Sequence, residues 1–299
     1  MVDINRGTSG VNLPPEVSQE IWANTIEESA VMRVARQIRL PGSGVSVPII
    51  TGEATADWVG ETELKPVSRA TLANKTITPY KLAVIEPFSN EFRRDLPGLY
   101  AELARRLPSA LGSKFDATVF GSTAPGSNFD TLGGATAVGI AGKTYKGLVA
   151  ADQAIATGGG VLNGWALSPQ ARGLLLGAED TTGRPIFINN VQADGAVPAL
   201  LGAPVYMTRS VYASGSPNQL GFAGDWGSAV YGTVEGIQVS ISDQATLVDG
   251  TVEVATGVDI PNLIHLYQQN MFAIRAEVEI GFRIKDLAQF VKLTSTVQS

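Results

Sequence analysis

The chain has 299 residues, 44% of them hydrophobic and only 17% charged, with a net charge of −6 and no Lys/Arg block. That length allows one large domain or two modest ones, and the low charge leaves much surface to be covered by partners. The acidic balance argues against tight sequence-independent binding to nucleic acid. The absence of cysteine excludes disulfides, thiolate metal sites and cysteine nucleophiles, and the lone His265 excludes a His–His zinc motif within one chain.

The N-terminus, MVDINRGTSG, has no apolar signal core, and no apolar run is long enough to span a bilayer. These features predict a protein made and kept in a cytoplasm, or in something assembled there. Residues 1–13 read as a flexible arm. Pro14-Pro15-Glu16 opens a helix predicted to run to about Ala35, with Val17, Ile21 and Trp22 as buried candidates, and Pro41-Gly42-Ser43-Gly44 stops it. Val45–Ile50 reads as a strand. A long polar excursion follows, with Trp58 as its one buried-looking residue, and Thr76–Pro87 returns as a second strand. Two strands bracketing such a loop predict an extended hairpin with a functional role, and Pro79 and Pro87 place the return strand at a sheet edge.

Leu99, Leu103, Leu107, Leu111 and Phe115 recur every four residues, which predicts a helix over 96–120 with one apolar stripe. Asp95 can cap it and Pro97 suits its first turn. Arg105, Arg106 and Lys114 fall on the water side. Such a helix is about 35 Å long, a spine for a domain, with Pro108 removing one backbone bond and bending it. The Gly/Ala/Ser/Thr-rich stretch 121–142 marks a boundary. Beyond it, helices are predicted over Tyr145–Ala156 and Pro169–Leu176, and strands over Trp165–Leu167, Leu201–Thr208, Leu220–Ala223 and Val230–Ile241. Residues 144–240 thus read as an inserted α/β subdomain. From Phe272 to Ile284 every even position is apolar, a strand with one face on the core and Arg275, Glu277, Glu279 and Arg283 on the other. Residues 287–293 read as one more strand.

Few residues suggest small-molecule chemistry. Ala137–Thr144 (AVGIAGKT) matches a relaxed phosphate-loop pattern, but Thr131–Thr136 makes a poor preceding strand, and a flexible loop is the better account. Ser168, Ser210 and Ser228 lie in no nucleophile-elbow context. His265 reads as structural, and the carboxylates are scattered.

The order of elements resembles the major capsid proteins of tailed bacteriophages, the Hong Kong 97 fold family. The likeness runs from about Pro14 to Leu293, through Asp57–Glu61 and Lys65-Pro66, Gly183–Phe187, Leu201–Val205, Phe222–Trp226 and the closing QQNMFAIRAEVEIGFRIKDLAQFVKL. The resemblance implies an α+β fold with an N-terminal arm and helix (1–44), an extended hairpin loop (45–87), a peripheral domain with the spine helix (88–143 and 241–299) and an axial domain (144–240). It implies a non-enzymatic shell protein without cofactor or metal, forming hexamers and pentamers of an icosahedral head around double-stranded DNA. The DNA would be held by weak non-specific contact, with no membrane involved. A separate scaffolding protein, a portal and decoration proteins are the implied partners, and the virion, assembled in a bacterial cytoplasm, is the implied location. The alternatives are an encapsulin-type compartment shell of the same fold and, from another class, a phosphate-loop enzyme resting on Lys143 and Thr144.

By alignment with the family's founding member, Lys65, Asn270 and Glu277 are the candidates for a self-made crosslink, in which the lysine amine attacks the carboxamide while the glutamate takes the proton. Seven residues of extended strand span about 23 Å, so Glu277 and Asn270 would have to come from different copies.

Overall fold

The computed structural model describes residues 22–26, 29–52, 56–61, 64–65, 67–69, 71–91, 96–179, 184, 186, 199–255 and 258–297; for 47–52, 71–73, 96–105 and 252–260 the backbone alone is described. The predicted arm, Val17, Ile21, Asp95, Gly183, Pro185, Phe187 and the side chains of Leu99 and Leu103 lie outside that set.

The predicted first helix is not continuous among the described residues: 22–26 are helical, Ser29 is not, and α1 (Ala30–Val34) follows. Ser29 breaks the run by capping α1, its Oγ accepting from the Met32 amide at 3.1 Å. The chain then becomes the strand β1 (Arg36–Arg39), because Ala35 leaves the helix in an extended conformation.

β2 (Val45–Gly52) pairs antiparallel with β3 (Thr71–Ile77) as an isolated two-stranded hairpin. The predicted return strand is split at Thr78-Pro79: β3 stays with the hairpin, and β4 (Tyr80–Ser89) leaves to pair with another sheet. Pro79 cannot donate to a ladder, so the partner changes there. The edge assignment is correct for β4, which pairs only with β14 (Met271–Ile284) among the described strands.

The spine helix α2 (Leu96–Phe120) has the predicted bounds and runs through Pro108 without interruption. Its described buried positions, 107, 108, 111, 112, 115, 116, 119 and 120, form a stripe two residues wide. Leu107 and Leu111 pack under Phe272, Ile274, Ala276 and Val278. Phe115 meets Phe282 at 6.3 Å and Phe129 at 6.4 Å between ring centroids, both edge-on. Phe120 stacks on Phe222 at 5.3 Å. Each such buried side chain contributes about 1.5–3 kcal/mol. The spine therefore holds two sheets together.

The first sheet has β14 (Met271–Ile284) at its centre, flanked by β4 on one side and by β11 (Gln238–Ser242) and β10 (Ala229–Thr233) on the other, with β1 parallel to β10. All seven even positions of β14 from Phe272 to Ile284 are buried, as the alternation predicts. The second sheet runs β5 (Thr136–Ala141), β15 (Phe290–Val297), β9 (Gln219–Gly224), β6 (Gly164–Leu167), β8 (Ala203–Met207) and β7 (Ala199–Leu200). Helices α3 (Thr144–Thr157) and α4 (Pro169–Leu176) bury Leu148, Ala151, Ile155, Ala171 and Leu175 against it. Ser168 caps α4 and Pro169 occupies its first turn.

The predicted 230–241 strand is two strands parted by a turn, and both pair with β14. Residues 287–289 are a 3-10 turn capped by Asp286, not strand, and β15 joins the second sheet beside β5 and β9. A second isolated hairpin, β12 (Thr246–Ala255) with β13 (Val258–His265), has no counterpart in the sequence reading. Asp249-Gly250 and Pro261 break its alternation, and the pairing register shifts between Val248 and Thr251.

Candidate intersubunit surface and crosslink site

The loop joining β2 and β3 carries apolar side chains in water. Trp58, Leu64 and Val67 reach 104, 97 and 84% of full exposure, beside exposed Asp57, Glu61, Lys65 and Arg69. The expectation that Trp58 is buried is therefore overturned within one chain. The hairpin is too narrow to fold a core around an indole ring. Three large apolar side chains left in water along one loop are the kind of surface that marks a contact with another molecule.

The three crosslink candidates are not brought together in one chain. Lys65 lies in the exposed loop, and Asn270 ends the turn before β14, while Glu277 lies seven residues along that strand. Asn270 holds a left-handed conformation at φ 52, and its Oδ1 accepts from Asn90 Nδ2 at 2.8 Å. Glu277 is held by Arg275 at 3.3 Å and by Lys81 at 3.7 Å. It lines a shallow pocket of about 170 Å³ with Lys81, Glu235, Gln238 and Glu279.

The phosphate-loop pattern is mostly strand. Residues 136–141 form β5, with Gly139 opposite Thr294, and only Gly142 and Lys143 link it to α3. A two-residue connection offers no loop of amides around a phosphate, which removes the basis of the enzyme alternative. His265 Nδ1 lies 3.0 Å from Thr246 Oγ1 across the second hairpin, a structural contact. Among the described residues no three of His, Cys, Asp and Glu are grouped to hold a metal ion. No described helix is long and apolar enough to cross a membrane.

The sequence reading missed Asp116, on the buried stripe of the spine. Its Oδ1 accepts from Ser29 Oγ at 2.6 Å and the Val31 amide at 3.2 Å; its Oδ2 accepts from the Ala30 amide at 2.8 Å and Thr208 Oγ1 at 3.5 Å. One carboxylate thus ties the first turn of α1, the spine and the end of β8. Burial raises its pKa from 3.8 to about 6, against the pull of those hydrogen bonds. An acidic residue beside apolar stripe positions at 115 and 119 was its only sequence signal.

Residues 9–295 match the model of the phage capsid family. The probable major capsid protein gp17 of Mycobacterium phage D29 is 31% identical over 300 residues, spanning 95% of this chain and 90% of that one. A solved structure from Microbacterium phage Oxtober96 has the same fold, with a TM-score of 0.70 at 21% identity, over 89% of this chain and 90% of that one. The capsid of a native GTA particle gives a TM-score of 0.67 at 14% identity over 99% of this chain and 96% of that one. The chain belongs to the phage capsid family, as a structural major capsid protein with the Hong Kong 97-type fold.

Proposed function

We propose that this chain assembles with itself into hexamers and pentamers that close an icosahedral head shell around double-stranded DNA. The observation that carries this reading is the β2–β3 hairpin, which pairs with no other described strand and holds Trp58, Leu64 and Val67 out in water. A second copy is the natural cover for that tip. In this reading 45–87 is the extended loop, its returning strand β4 rooted in the first sheet beside β14, 88–143 and 241–299 the peripheral part and 144–240 the axial part, with β10 and β15 lacing the last two together. A net charge of −6 lets an inner wall lie beside DNA without gripping it. Scaffolding, portal and decoration proteins are the further partners, and assembly takes place in the bacterial host's cytoplasm.

Negative-stain imaging of the purified protein tests the reading. Hollow particles or capsomer rings are expected, and a freely tumbling monomer at high concentration overturns it. A shell with a portal and tail at one vertex separates a phage head from an encapsulin-type compartment.

The crosslink is part of the same proposal. Lys65 Nζ of one copy forms a bond to the Asn270 carboxamide carbon of another, Glu277 of a copy other than the one that gives Asn270 takes a proton from the attacking amine and passes it to the leaving nitrogen, and the carbon–nitrogen bond of the carboxamide breaks to release ammonia. The attacking amine must be neutral, so the step requires Lys65 to enter a dry contact. A ladder on a denaturing gel of boiled particles supports it, and a single band at the 31.3 kDa chain mass ends it.

A further inference from the structure

Resting on the capsid reading, we propose that Arg283, Asp130 and Lys75 form a latch that sets the direction in which the β2–β3 hairpin leaves the body, and thereby whether its tip meets a second copy. Among the described strands β3 pairs only with β2, so no strand ladder aligns the hairpin with either sheet. Its direction is decided at the root, residues 75–80.

There the two strands grip each other reciprocally. Lys75, on β3, donates to the carbonyls of Ile284 and Lys285 at 2.8 and 3.0 Å, at the end of β14. Arg283, on β14, donates through Nε to the Thr76 carbonyl at 2.8 Å. Asp130 stands between the cations, 2.6 Å from the Arg283 guanidinium and 3.9 Å from Lys75 Nζ, and also accepts from the Ile284 amide at 3.1 Å. Asn128 completes the set. Its Oδ1 accepts from Arg283 at 3.0 Å, its Nδ2 donates to Thr78 Oγ1 at 3.1 Å, and its amide donates to the Tyr80 hydroxyl at 3.2 Å.

The side chains of Arg283 and Asp130 are only 16 and 22% exposed, so salt screens their attraction less than it would a surface pair. The backbones close in where only glycine fits. A Cβ on Gly281 would stand 2.7 Å from the Thr78 carbonyl oxygen. Leverage makes the root decisive: eight residues of strand reach about 27 Å, so a tilt of about 10° moves the tip by about 5 Å, more than an interface contact tolerates.

The cysteine-free chain suits a direct test. Spin labels at Glu61→Cys and Ser109→Cys, in labelled chain diluted into excess unlabelled chain, report hairpin against spine. The Asp130→Asn and Arg283→Gln variants should broaden the distance distribution about twofold and speed tryptic cleavage after Arg69 about threefold, measured well below the melting temperature of each variant's body. Particle yield should fall about tenfold, the effect of about 1.4 kcal/mol at an interface. Arg283→Lys keeps the cation but loses the fork, and should lie between. Wild-type width and cleavage rate in the variants overturn the latch. If Asp130→Asn does not fold, Arg283→Lys decides, since unchanged width there is equally fatal. If the unmodified chain forms no particles, the capsid reading fails while the width measurement still judges the latch.

Discussion

Asp116 couples local chemistry to global stability through one carboxyl group. Its pKa in the fold, about 6, lies above the ordinary 3.8, so the fold disfavours the charged form. The stability this group contributes is fully present below about pH 4 and is lost as pH rises through about 6, a swing on the order of 3 kcal/mol. This runs against the usual acid denaturation of surface carboxylates. Asp116→Asn removes the titration and turns an amide donor toward one of the helix amides. The variant should be less stable throughout, and its deficit relative to wild type should shrink by about 3 kcal/mol between pH 4 and pH 8 in denaturant titrations. Trp58 is the opposite case. Trp58→Ala should leave the stability of the unassembled chain within about 0.5 kcal/mol, and, on the proposed reading that a second copy covers this ring, sedimentation should show assembly weakened by about 2 kcal/mol or more.

Among the elements, the spine helix and β14 carry the core. Phe115 touches aromatic rings from the 121–135 loop, from β10 and from β14. Phe115→Ala should cost about 3–5 kcal/mol in chemical denaturation, and Leu111→Ala about 2–5 kcal/mol, as cavities in a close-packed interior. The two isolated hairpins respond differently. In the second, Val248 and Leu263 are exposed, so substitutions there should shift the melting of the unassembled chain hardly at all.

For the whole molecule, the stable body is the pair of sheets joined by the spine, and the outlying parts are the hairpins. This division predicts two separable transitions. Mild destabilisation of the assembled particle should release intact, folded subunits before any subunit unfolds, seen as loss of particles by light scattering while near-ultraviolet circular dichroism persists. Lys65→Gln should leave particle formation unchanged and, if a ladder is present in the unmodified protein, abolish it on a boiled denaturing gel.

Much of this was legible in the chain. The spine's bounds, the period-2 face of β14, the capped helix at Pro169–Leu176 and the hairpin's first strand all follow from spacings within one element, because helix and strand periodicities act over a few residues. The order of those elements was enough for the family resemblance. What a strand pairs with was not legible. β4 could be separated from β3, and β15 placed beside β5 and β9, only in three dimensions, since alternation reports which face is buried and not which neighbour lies alongside. The exposure of Trp58 was equally hidden, because an indole in a loop looks the same whether its cover comes from its own chain or another. Asp116 and the Arg283–Asp130–Lys75 cluster join residues 55 to 153 positions apart in the chain. Sequence determined the pieces and their kind; tertiary structure alone decided which distant charges meet, because burial and ion pairing depend on distances in space that no local pattern encodes.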